Sequence, residues 1–138
     1  MANEATIITL YGNQGDPVEY TVAAGTAIPK GTLMQLSSSP NTATATSADG
    51  DHFVGIAAWE KTTTDGKTKM SCITNCTAKI TATASTGSMT LGEPVKITGA
   101  NTVAPADDDT VAHMAEVVGI AKETVAAGAA GAVRVMCY

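Results

Sequence analysis

Aromatic residues are scarce. One Phe, one Trp and three Tyr make up 4% of 138 residues, which excludes a core built from large rings and leaves little for the aromatic platforms that sugar binding uses. Cysteine is limited to Cys72, Cys76 and Cys137, an odd count that does not read as a disulfide framework. Charge is sparse at 15%, and 8 basic against 13 acidic residues give a net charge of −5. A nucleic-acid partner needs a basic face, so this balance speaks against one. No apolar run approaches the length of a membrane span, so no membrane partner is expected. Residues 1–5 lack the basic and apolar regions of a secretory signal, as expected of a chain made in a cytoplasm.

What the sequence does have is small and β-branched. Hydrophobic residues reach 44%, mostly Ala, Val, Ile and Met, and threonine is abundant. Such side chains suit thin, pleated sheets. The length fits one domain with a real core. Within it Gly-Ile-Ala occurs twice, at Gly55-Ile56-Ala57 and Gly119-Ile120-Ala121. Upstream, Lys30-Gly31-Thr32-Leu33-Met34-Gln35-Leu36 is echoed by Leu91-Gly92-Glu93-Pro94-Val95-Lys96-Ile97. Downstream, Thr68-Lys69-Met70-Ser71-Cys72 is answered by Val133-Arg134-Val135-Met136-Cys137. Three blocks in the same order predict an all-β, sandwich- or barrel-like domain of two similar halves, about 18–84 and 85–138, too few and too long to be a solenoid.

The alternation of Val18, Tyr20 and Val22 with polar neighbours predicts a half-buried strand. Met34 and Leu36 form the expected inward face of the next one. The near-continuous apolar run from Phe53 to Trp59 reads as a strand covered on both faces, with Gly55 marking a bulge or a close backbone approach. Thr62-Thr63-Thr64-Asp65-Gly66 reads as a hairpin loop. Alternation is cleanest where Ala78, Ile80, Ala82 and Ala84 face away from Thr77, Lys79, Thr81 and Thr83. A short strand fits Thr102-Val103-Ala104, and the closing strand runs from Ala132 to Tyr138. The alanine-rich stretch 122–132 contains Gly128 and Gly131, each costing about 1 kcal/mol in a helix, and is read as a loop. Residues 5–11 have strand composition but no counterpart in the echo. Residues 1–16 are therefore read as an extended N-terminal arm, with an ordinary edge strand fitting the same signals.

No catalytic constellation emerges, and no enzyme, cofactor or metal is expected. His52 follows Asp49-Gly50-Asp51, and His113 follows Asp107-Asp108-Asp109. Cation binding by those acids would need several oxygens at a recognisable spacing, and solvated loop acids explain them more simply. Cys72 and Cys76 are expected on one face of a continuous strand, as buried thiols with no base beside them. Lys30-Gly31-Thr32 has the wrong order for a phosphate loop. Trp59 precedes a loop, where an exposed indole can anchor an interface; a core tryptophan is the alternative.

The succession Ala23-Ala24-Gly25, Ile28-Pro29-Lys30-Gly31-Thr32-Leu33 and Phe53-Val54-Gly55-Ile56-Ala57, followed by a loop and an alternating strand, resembles the small β-rich decoration (cement) proteins of tailed-phage capsids. Pro94, at a strand start, departs from that pattern. The resemblance implies a virion protein, made in the host cytoplasm, that binds the major capsid protein on the outer face of the mature head and stabilises contacts between capsomers. A homotrimer, or a dimer, is implied with it. Strand addition by the arm makes Thr6, Ile7, Ile8, Thr9, Leu10 and Tyr11, together with Trp59, the candidate capsid-contacting residues. A tail-tube or connector β protein and a carbohydrate-binding adhesive sandwich are the alternatives.

Overall fold

The computed structural model describes residues 3–10, 17–85, 87–106 and 111–136, with the backbone alone for 111–113. Among them there is no α-helix. The strands are β1 (Thr6–Leu10), β2 (Val18–Thr21), β3 (Leu33–Leu36), β4 (Ala43–Ala45), β5 (Phe53–Ala57), β6 (Lys69–Ile73), β7 (Asn75–Ala82), β8 (Pro94–Gly99), β9 (Thr102–Pro105), β10 (Val117–Ala121) and β11 (Ala130–Met136), with one 3-10 turn at Val111–Glu116.

Two units of the same topology account for β2 to β11. In the first, the strands lie in the order β2-β6-β5-β3-β4, and the sheet ends meet at a parallel bridge between Thr21 and Thr42. In the second the order is β7-β11-β10-β8-β9, and parallel pairs Thr81–Thr102 and Ala82–Val103 close a five-stranded barrel. Register aligns the two: Ile56 faces Leu33 and Ile73, while Ile120 faces Pro94 and Arg134. The threonines that close each ring follow an asparagine at positive φ, Asn41 (51°) and Asn101 (57°). Asparagine tolerates this left-handed conformation better than other non-glycine residues. The resulting Asn-Thr echo marks ring closure in both units.

Sterics explain the repeated glycine. A Cβ at Gly55, where φ is +138°, would lie 2.9 Å from both the Cys72 Cβ and the Ile73 carbonyl oxygen. At Gly119 it would run into the Arg134 backbone of β11. Both glycines therefore mark close strand approach, which the sequence predicts at Gly55.

Several expectations need correcting. The sequence echo places the strand at 75–82 in the first half, but its pairs are with β11 and β9 of the second sheet. Cys72 and Cys76 do not share one continuous strand. Thr74 separates β6 from β7, and the two thiols enter different cores. Since Ala57 pairs with Cys72 and Ala121 with Val133, the counterpart of Cys72 is Val133 rather than Cys137, which lies outside the described residues. Leu36 is 43% exposed, and the buried pair in β3 is Leu33 and Met34. Ala84 lies beyond the end of β7 and is exposed, whereas Cys76, Ala78, Ile80 and Ala82 are buried as the alternation predicts.

Small side chains fit small barrels, whose interiors have room for little else. The first unit encloses Val22, Ile28, Met34, Ala43, Val54, Ala57, Met70 and Cys72. Outward-facing Leu33, Phe53 and Ile56 instead join Val95, Ile97, Val103, Val118, Val133 and Val135 in the larger cluster, so the outer face of β3 and β5 packs on the second unit. Polar links reinforce that seam. The Leu33 N–H donates to Asn101 Oδ1 (2.9 Å), the Asn101 N–H donates to Thr46 Oγ1 (3.3 Å), and Lys96 Nζ lies 3.0 Å from Asp49.

Burial pushes the Cys76 thiol up to about 11, against a modest opposing pull from Arg134. Below pH 9 the thiol is protonated whether the chain is folded or not. Between pH 9 and 11 the unfolded chain loses this proton and the folded one keeps it, so stability falls through that window, by up to about 3 kcal/mol. Denaturant melts at pH 8 and 10.5 should therefore show a steeper loss for the natural chain than for Cys76→Ala.

Candidate interaction surface

The candidate residues fall into two places. The segment before β1 is pinned to the first unit, where the Ala5 N–H donates to the Gly31 carbonyl (2.7 Å). β1 then crosses to the second unit and pairs antiparallel with β7, Thr6 opposite Lys79 and Leu10 opposite Cys76, with an irregularity between Ile7 and Thr9. The arm is thus extended but docked, as an edge strand of the second sheet. Its outer edge pairs with no described strand.

Burial along β1 singles out one side chain. Ile7 is half-buried and packs against the larger core cluster. Thr6 and Thr9 are exposed, as are Ile8 (52%) and Leu10 (41%). Tyr11 lies outside the described residues. Thr6, Ile7 and Leu10 line a groove of about 600 Å³ together with Glu4, Lys30, Ala58 and Ile73. Glu4 Oε1 is buried without a hydrogen-bond partner among the described residues.

Trp59 does not line this groove. It is 38% exposed and sits on a shallow depression with Gly66, Lys67, Thr68 and Lys69. The loop behind it is held by a feature that the sequence did not disclose. Lys61, 1% exposed, directs its ammonium to the carbonyls of Ala24 (2.5 Å), Thr26 (2.9 Å) and Thr62 (3.3 Å), with Asp65 at 3.8 Å. Buried lysines are rare unless satisfied in this way. Asp65 accepts the N–H groups of Lys67 (3.0 Å) and Thr62 (2.9 Å). The Lys67 N–H is the largest influence on its carboxyl, which is held below the ordinary carboxylate value. A depressed carboxylate stabilises the fold above the unfolded value, and that contribution is lost as pH falls through the folded one.

The acidic loop at 49–51 is also engaged in structure. Asp51 Oδ2 accepts the N–H groups of Ser47 (2.7 Å) and Ala48 (2.9 Å), and Asp49 pairs with Lys96. The second acidic loop, 107–109, and the His113 side chain lie outside the described residues. Among the described residues, no three His, Cys, Asp or Glu side chains come together in a metal-holding group.

No family model and no curated protein sequence matches this chain. A solved structure does, namely the N-terminal base of the head fibre protein gp8.5 of bacteriophage phi29, with a TM-score of 0.55 over 87% of this chain and 94% of that one. The fold is shared with a phage head-fibre base. Identity is 16%, so the likeness rests on backbone architecture rather than on shared surface residues.

Proposed function

We propose that this chain is a structural protein of a tailed-phage head, exposed on its outer surface, where it binds the coat protein and holds neighbouring capsomers together. The observation that carries this reading is the fold shared with the phi29 head-fibre base across nearly the whole of both chains. The capsid-decoration resemblance in the sequence points the same way independently. The exposed Ile8 and Leu10 on the free edge of β1 suit strand addition to a coat subunit, in which main-chain hydrogen bonds supply the contact. Assembly as a homotrimer would repeat that contact, and many weak contacts on a symmetric shell gain strength through avidity. The head-fibre likeness also favours a second reading, in which the chain is a base that carries a further projecting segment.

The test is co-sedimentation of the purified protein with mature heads that lack it. The natural chain should pellet saturably with the heads. Ile8→Glu/Leu10→Glu should bind at least about tenfold more weakly, because two apolar side chains are lost from the contact. Failure of the natural chain to pellet would overturn the head-surface reading. Equal binding of the double variant would remove β1 from the contact.

A further inference from the structure

One turn is built the same way in both units, but among the described residues the chain covers it in only one of them. Gly31 (φ +89°) and Gly92 (φ +86°) each donate their N–H to the alanine of Gly-Ile-Ala, Gly31 to the Ala57 carbonyl (3.0 Å) and Gly92 to the Ala121 carbonyl (2.8 Å). At Gly31 the N-terminal segment passes directly over the turn. Ala5 donates to the Gly31 carbonyl (2.7 Å), and a Cβ on Gly31 would sit 3.2 Å from both the nitrogen and the carbonyl carbon of Ala5. Gly31 and Ala5 are buried.

Among the described residues the equivalent place in the second unit is open. Gly92 is exposed, a Cβ there would meet nothing within 4 Å, and its carbonyl accepts no hydrogen bond among the described residues. Polar and aliphatic groups both stand beside it: Thr124 Oγ1 accepts the Leu91 N–H (3.1 Å) and Glu93 Oε2 accepts the Thr90 N–H (3.1 Å). Leu91 stands where the first unit has Lys30 and is 63% exposed; Ile120 is 37% exposed, whereas its counterpart Ile56 is fully buried. Leu91 adjoins Gly92 in the chain and Ile120 pairs opposite Pro94, and exposed aliphatic side chains near a backbone acceptor are what a strand-like ligand covers.

We propose that the Gly92 turn is a docking site for an extended segment of another protein. That segment lays a small residue over the glycine, donates an N–H to the Gly92 carbonyl, and sets apolar neighbours against Leu91 and Ile120. Stoichiometry excludes a second copy of the N-terminal segment as the occupant. Each chain carries two such turns but one such segment, and that segment is engaged at Gly31. The close pass of the Ala5 backbone is what requires a glycine at position 31, and the small residue is patterned on Ala5 itself, which is buried in the larger core cluster there. On the reading given under Proposed function, the donor is the coat protein, and that clause alone depends on that reading.

The test uses the intact protein, with a blocked peptide of residues 3–10 as the probe, because this sequence already fits the equivalent turn. Amide chemical shifts are followed as millimolar peptide is added. Saturable shifts confined to residues 91–93 and 120–122 are expected. Leu91→Glu, at a position too exposed to disturb the core, should weaken binding about tenfold or more, and Leu91→Ser should weaken it less. Three results would overturn the site: no saturable shift, shifts centred on Gly31 and β7, or binding indifferent to both substitutions. No capsid is involved, so a negative result here leaves the head-surface reading standing. If the peptide binds but heads do not, only the coat-protein clause falls.

Discussion

Gly119→Ala is expected to be among the most damaging single substitutions in this protein. The added methyl group would meet β11 backbone, including the Arg134 carbonyl carbon at 2.8 Å and the Val135 Cα at 3.0 Å. Backbone cannot rotate away as a side chain can, so β10 and β11 must separate and lose local pairing. Overpacking of this kind in a closed barrel should cost about 3–4 kcal/mol, or a drop in Tm on the order of 10–15 °C for a domain of this size. Gly55→Ala should behave similarly, with backbone strain at φ +138° added to its close contacts. Two controls separate these causes. At Gly92 an added methyl group has open space, so alanine there adds only the left-handed backbone cost of about 1–2 kcal/mol. Gly25 has open space and no positive φ, so alanine should be neutral or stabilise by a few tenths of a kcal/mol. Thermal melts of the four variants give the comparison. If Gly119→Ala cost no more than Gly92→Ala, the close-approach account of the Gly-Ile-Ala motif would be wrong.

The second large effect is expected at the seam between the units. Asn101→Ala removes the side-chain oxygen that accepts the Leu33 N–H, leaving a buried donor without that partner at a cost of about 1–3 kcal/mol. It also places alanine at φ 57°, adding about 1–2 kcal/mol. Together these predict a loss of roughly 3 kcal/mol in denaturant unfolding. The counterpart Asn41, at φ 51° but exposed, shares only the backbone cost. Asn41→Ala should therefore lose about 1 kcal/mol, and the difference between the two measures the cross-unit bond. Asn101→Gly relieves the backbone while still losing the bond, so it should fall between them. Equal losses at positions 41 and 101 would mean that the seam does not depend on this contact.

The all-β class and the two-unit design were legible because close strand approach leaves few options at Gly55 and Gly119, and the chain spells the solution twice. β7 was legible because its two faces differ in burial, and a period-two pattern records that difference directly. Its sheet was not. Pairing with β11 and β9 is set by residues far along the chain, and an Ala-Thr alternation looks the same beside any partner. Ambiguity of the same kind misaligned β6 with β11. Met70, Cys72, Val133 and Val135 are interchangeable as small-barrel fillers, so the cysteines offered a false landmark. Leu36 was misassigned because a strand end leaves the core after Met34, and alternation carries no mark of where it stops.

The candidate surface was less legible than the fold. Strand composition at residues 5–11 disclosed a strand but not that β7 would receive it, nor that Ala5 would seal the Gly31 turn on the way. The groove flanked by Glu4 and Ile73 exists only once that crossing is made. Lys61 gave no warning, since a lysine becomes a buried anchor only where three carbonyls converge, and those of Ala24 and Thr26 come from a separate loop. The open turn at Gly92 has a plainer cause. It follows from comparing the two units, and the Leu91-Gly92 echo of Lys30-Gly31 already stood in the sequence.

The central claim, that this is a structural protein of a phage head, is tested most directly by quantitative mass spectrometry of purified virions whose genome encodes the chain. The account predicts many copies per particle, in a fixed ratio to the coat protein, and retained through gradient purification. Absence from the particle, or a trace amount with no fixed ratio, would contradict it.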